Sequence, residues 1–82
     1  KMNEDTNFKD VLKRASLKYG LQAPKYIVIN NDGVFTCEIS IGGITYGHGE
    51  GTSKKCSQME AAHNVIIQHF PEYQKLLHSK AN

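Results

Sequence analysis

Two adjacent lysines, Lys54 and Lys55, follow Thr52-Ser53 at a point where the pattern turns helical. Upstream runs Gly47-His48-Gly49-Glu50-Gly51, a strand-like stretch giving way to glycine. Ser53 suits an N-cap, because its hydroxyl can accept an otherwise unpaired backbone N–H of the first turn. At that end of a helix the first amide groups lack intrahelical partners and the dipole is positive. Asp or Glu would stabilise such a tip, and lysine does not. Cations set there point to an external anion, and phosphate is the commonest candidate. The plain alternative is a solvated helix start with ordinary surface lysines.

Other groupings offer less chemistry. Gly47-x-Gly49-x-Gly51 resembles a dinucleotide fingerprint only superficially, since that motif needs a βαβ unit and an acidic residue about twenty positions on. No Gly-Lys-Ser/Thr triplet is present for a P-loop. These glycines read instead as a tight strand exit with a helix approaching closely. His48, His63, His69 and His78 share no ligand spacing, and no cysteine pair completes a zinc site. Cys37 reads as a core strand residue and Cys56 as part of the helix start, neither with a base to make it a nucleophile. Glu50 and Glu60 are not arranged as an acid–base pair. The expectation is no enzyme, no metal, no cofactor and no small-molecule substrate.

The chain has 82 residues, enough for a single domain over 1–82 with one core. Apolar residues make up 39%, which suffices for that core. A net charge of +2 is weak, so any basic footprint is local. Two cysteines without a CxxC pattern do not make a disulfide scaffold and suggest a reducing, intracellular compartment, nucleus or cytoplasm. No apolar run approaches the ~20 residues of a membrane span. Lys1 ahead of Met2 reads as a piece of a larger protein.

The elements that must position Lys54 and Lys55 follow from periodicity. Residues 1–5 are mostly polar and expected to fray, and Thr6 or Asn7 can cap a first helix. Phe8, Val11, Leu12, Ala15 and Tyr19 form its apolar stripe, with Lys9, Lys13, Arg14 and Lys18 off it. Gly20 suits the helix end, and Pro24 prevents its return. From Lys25 the period becomes two. Tyr26 to Ile29 form a strand apolar on both faces, Asn30-Asn31-Asp32-Gly33 signals a hairpin, and Phe35, Cys37, Ile39 and Ile41 alternate with polar residues. Gly42-Gly43 is a second tight turn, and Ile44 to Gly49 a third strand. The second helix puts Met59, Ala61, Ala62, Val65, Ile66 and Phe70 inward. Pro71 then opens a short terminal helix over about 71–78, with Tyr73, Leu76 and Leu77 on one face. The fold class is α+β, in the order α-β-β-β-α, with two helices on one face of a three-stranded antiparallel sheet.

In this order, Gly20-Leu21, Pro24-x-Tyr26, Phe35-Thr36-Cys37-Glu38-Ile39, Gly42-Gly43, Tyr46-Gly47-x-Gly49-x-Gly51, Ser53-Lys54-Lys55 and Ala61-Ala62 together resemble the double-stranded RNA-binding domain. The resemblance covers about residues 7–70. It implies that the first helix lies over one minor groove of A-form RNA, the loop between the first two strands reaches the next, and the start of the second helix bridges the phosphates between them. Ser53, Lys54 and Lys55 match the third region. The family often has another basic residue at the place of Gln58. In the first region it favours Glu at the place of Arg14 and Gln at the place of Leu17. In the second it carries Gly-Pro-x-His in a longer loop, whereas Gly33 here passes straight to Val34-Phe35.

Two functions follow from this resemblance. One is a non-catalytic module that recognises duplex RNA by shape and phosphate contact, through Ser53, Lys54 and Lys55 with Lys9, Lys13 and Arg14, within a larger RNA-processing or RNA-regulating protein. The other is a protein–protein or dimerisation module of the same fold with reduced RNA binding. Its contact surface would combine Ile27 and Ile29 with Tyr73, Leu76 and Leu77.

Overall fold

A computed structural model describes residues 3–74. Helix α1 (Asn3–Lys18) leads into strands β1 (Lys25–Asn31), β2 (Val34–Ile41) and β3 (Ile44–Gly51), then helix α2 (Lys54–His69) and a 3-10 turn over Pro71–Tyr73. The strands form one antiparallel sheet in the order β1-β2-β3. The expected α-β-β-β-α order is therefore the one observed. Leu12 and Ala15 of α1, Cys37 and Ile39 of β2, and Ala61, Ala62, Val65 and Ile66 of α2 are fully buried together.

The apolar stripe of α1 holds for Val11, Leu12 and Ala15, with Phe8 packed at the edge of the core. Tyr19 departs from it, half exposed, with its ring stacked on Phe70 at 5.5 Å. The N-terminus also departs. The helix already runs from Asn3, so Thr6 and Asn7 lie inside it and do not cap it, and residues 3–5 belong to it. At the other end Gly20 adopts φ +76°. Its N–H donates to the Leu17 carbonyl at 3.0 Å, and the Leu21 N–H donates to Ser16 at 2.9 Å. This pair of reverse bonds closes the helix and favours a residue without a Cβ at the left-handed position.

Between β1 and β2, Asp32 and Gly33 have φ of +57° and +86°, a two-residue turn whose twist matches the strands it joins. Asn30 Oδ1 accepts the Gly33 N–H at 3.2 Å. Gly42-Gly43 makes a second two-residue turn between β2 and β3. The β2–β3 register slips between Ile39 and Ser40: Ile39 pairs with Gly47 and Ser40 with Thr45, leaving Tyr46 as a bulge. Tyr46 and Gly47 in succession thereby face the helices.

Helix α2 lies almost directly on β3 through three glycines. A Cβ at Gly47 would come 2.8 Å from Val65 Cγ2, and one at Gly51 would come 2.6 Å from Cys56 Cβ. A Cβ at Gly49 would overlap the Ala61 backbone. The alternating glycines thus serve close helix approach, as expected. At the far end, Tyr46 and His69 meet at 4.7 Å and Tyr46 stacks with Phe70, fastening β3 to the end of α2. After Pro71 the Tyr73 N–H bonds the Phe70 carbonyl at 2.9 Å, and Tyr73 packs against the core cluster.

Candidate nucleic-acid interface

Ser53 is the N-cap of α2. Its backbone is extended, its Oγ accepts the Cys56 N–H at 3.1 Å, and its carbonyl accepts the Ser57 N–H at 3.0 Å. The first turn contains no acidic residue. Lys54 and Lys55 are both exposed there. The tip is held rigidly to the sheet, because Gly51 at the end of β3 seats the first turn against the strand. Buried Ser57 donates to the Lys54 carbonyl at 2.8 Å, so it leaves no orphaned hydroxyl beneath the tip.

The cations of α1 fall into different settings. Lys9 crosses to α2: its Nζ donates to Gln58 Oε1 at 3.4 Å and lies 4.9 Å over the Tyr26 ring. Lys13, one turn on, is exposed on the same side of α1. Arg14 instead pairs with Asp10 in its own helix, Nε to Oδ2 at 3.2 Å, with both side chains largely exposed. An exposed pair of this kind is worth little and opens easily. Lys18 sits in the last turn, where a cation complements the helix dipole. The structure thus joins Lys9 to the α2 tip and keeps Arg14 within its own helix.

Beneath Lys9, the Tyr26 hydroxyl is buried without a hydrogen-bond partner. Burial pushes its pKa well above the usual tyrosine value, and Cys37 adds to the shift. The Cys37 thiol is likewise pushed up, first by burial, with Lys9 pulling the other way. It is therefore held in the unreactive thiol form, as befits a core residue. Cys37 and Cys56 are both free. No group of His, Cys, Asp and Glu among the described residues could hold a metal ion. A shallow groove of about 500 Å³, lined by Phe8, Met59, His63, Glu50 and Glu60 among others, carries two carboxylates and does not suit phosphate.

The remaining expected residues separate. Ile27 and Ile29 are 44% and 59% exposed on the sheet face turned away from the helices, with Val34, the partner of Asn31, exposed on the same face. Tyr73 does not share that face. It belongs to the turn after α2 and packs against the core, because Pro71 directs the chain back onto the helix layer. Leu76 and Leu77 lie outside the described residues. The β1–β2 turn is at the same end of the sheet as the α2 tip, since Phe35 pairs with Gly51. It is only two residues long and presents Asp32 and no cation. Sequence periodicity had no means of showing Gln58 and Tyr26 as contacts of Lys9, because the three come from different elements.

No helix among the described residues is long and apolar enough to cross a membrane. No curated protein matches the chain. Residues 8–69, running from the first inward-facing ring of α1 to the end of α2, match the family described as the double-stranded RNA binding motif. With most of its length inside that match, including all three strands, α2 and most of α1, the chain belongs to the double-stranded RNA-binding domain family, whose partner is duplex RNA.

Proposed function

We propose that this domain reads duplex RNA by shape, without catalysis, by laying the α2 tip across backbone phosphates while α1 meets the adjoining minor groove. Lys54 and Lys55 make the phosphate contacts, Ser53 holds the first turn, and Lys9, Lys13 and Arg14 contribute from α1. The carrying observation is the capped tip of α2 with two exposed lysines and no carboxylate in its first turn. A-form RNA hides its base edges in a deep major groove, so contacts of this kind position a protein on the duplex without reading sequence. The domain would deliver a larger RNA-processing or RNA-regulating protein to its substrate, in the nucleus or cytoplasm. That role rests on family analogy.

The test is a titration of short RNA duplex against wild type and Lys54→Ala/Lys55→Ala over a range of salt. Each phosphate-contacting lysine contributes about 1 to the salt slope, so the double variant should bind more weakly with a slope smaller by about 2. Unchanged affinity and slope would remove these lysines from the interface.

A second reading is favoured by the exposed Ile27, Ile29 and Val34 on the outer sheet face. Contiguous exposed apolar area on a small domain commonly marks a protein contact. In that reading the domain docks a protein, or a second copy of itself, and binds RNA weakly. Sedimentation distinguishes the two: self-association with no mobility shift on duplex RNA would favour it over the first.

A further inference from the structure

We infer that Lys9 is a third cation of the α2 tip, supplied from α1 and held in place by Gln58 and Tyr26 as positioning residues. The inference rests on the duplex-RNA reading of that tip. Gln58 follows Lys54 by one helical turn, and residues so spaced are neighbours on one helix face. An ammonium bonded to Gln58 Oε1 at 3.4 Å is therefore held one helical turn from Lys54, although it arrives from another helix. The Tyr26 ring, packed against the core, faces the same ammonium at 4.9 Å. The two contacts restrict a long, flexible side chain that would otherwise sample many rotamers.

What marks this as more than a tie between helices is the chemistry of the holders. Gln58 is an uncharged amide and Tyr26 an uncharged ring, so neither of these two holders neutralises Lys9. Arg14, by contrast, has its charge matched by Asp10. An ammonium has three donors, and the glutamine takes one. Lys9 remains exposed, so its ammonium keeps donor capacity beyond the glutamine. A cation positioned near Lys54, at the positive end of a helix dipole, is electrostatically unfavourable alone and favourable against a polyanion.

The experiment uses the full chain and a perfectly paired RNA duplex of about 16 base pairs, with affinity measured across salt. Lys9→Met keeps an apolar stem over Tyr26 and removes the charge. It should weaken binding roughly three- to tenfold and lower the salt slope by about 1. Lys9→Met/Gln58→Lys should restore both, because a lysine at position 58 returns an ammonium to the place beside Lys54. Gln58→Leu, which keeps Lys9 and removes its acceptor, should weaken binding in the same direction as Lys9→Met. Wild-type affinity and slope in Lys9→Met, or a double variant as weak as Lys9→Met, would overturn the inference. Wild-type binding by Gln58→Leu would overturn the positioning role. If Lys54→Ala/Lys55→Ala loses binding while Lys9→Met does not, only the role of Lys9 falls. If neither variant loses binding, the duplex reading of the tip falls as well.

Discussion

Gly49 of β3 lies so close beneath Ala61 of α2 that a side chain at position 49 would overlap the Ala61 amide nitrogen. The obstacle is backbone, which cannot rotate aside. At Gly47 the nearest atom is a methyl of Val65, 2.8 Å from where a Cβ would be, and a side chain can yield. Gly49→Ala should therefore cost roughly 3 kcal/mol or more, and Gly47→Ala about 1 to 2 kcal/mol. Urea denaturation checks the order. Equal midpoints for the two variants would show that α2 shifts on the sheet more freely than this packing allows.

Ser53 separates stability from binding. Ser53→Ala removes the acceptor for the Cys56 N–H and should cost about 1 kcal/mol, a fall in melting temperature of roughly 4–8 °C for a domain this small. Ser53→Asp keeps a cap and suits the helix dipole, yet sets a carboxylate beside Lys54 and Lys55. It should melt at or above the wild-type temperature while binding duplex RNA more weakly. A variant both as stable and as tight as wild type would show that no phosphate approaches the cap.

Tyr26→Phe tests the unpartnered hydroxyl. Removing a buried hydroxyl with no partner costs little and can stabilise, so the variant should be at least as stable as wild type near neutral pH. The ring remains, so Lys9 stays in place and RNA binding should persist. Both Tyr26 and Cys37 have raised pKa values in the fold, chiefly through burial. The unfolded chain thus gives up those protons at lower pH than the folded one. Their contribution to stability is complete below the ordinary thiol range and is lost as pH climbs from the ordinary thiol and phenol values toward the raised folded ones. Tyr26→Phe should lessen the alkaline loss seen in chemical denaturation. An identical alkaline profile would place the ionisation elsewhere.

The architecture was legible because its signals are local. A stripe at helical spacing, Gly20, the hairpin signal Asn30-Asn31-Asp32-Gly33 and a serine before the lysines each speak through neighbouring residues. What was not legible depends on distant ones. The contact of Lys9 with Gln58 joins helices at opposite ends of the chain. The run Tyr26 to Ile29 showed two apolar faces, yet only the assembled sheet shows that Ile27 and Ile29 are uncovered while Tyr26 and Val28 pack inward. Tyr73 seemed to share a surface with them because periodicity carries no information on which layer a terminal turn joins. The start of α1 was misplaced for another reason: Asn3 and Asp5 favour caps and turns in isolation but continue a helix once its apolar side is docked.

The outer sheet face carries its own expectation. Ile27→Thr/Ile29→Thr replaces two exposed side chains with β-branched polar ones, so stability should change by less than about 0.5 kcal/mol per site. Duplex RNA affinity should be unaffected, since this face lies opposite the helices. If wild type self-associates in sedimentation and the variant does not, that face is the protein contact of the second reading. Weaker RNA binding in the variant would instead place duplex on the sheet.

Amide chemical-shift mapping during titration with an RNA duplex tests the central claim most directly. Perturbations should gather at Ser53 to Gln58 and along Lys9 to Arg14, and should fade as salt is raised. Perturbations centred on Ile27, Ile29 and Thr36, with residues 53–58 unmoved at saturating duplex, would contradict it.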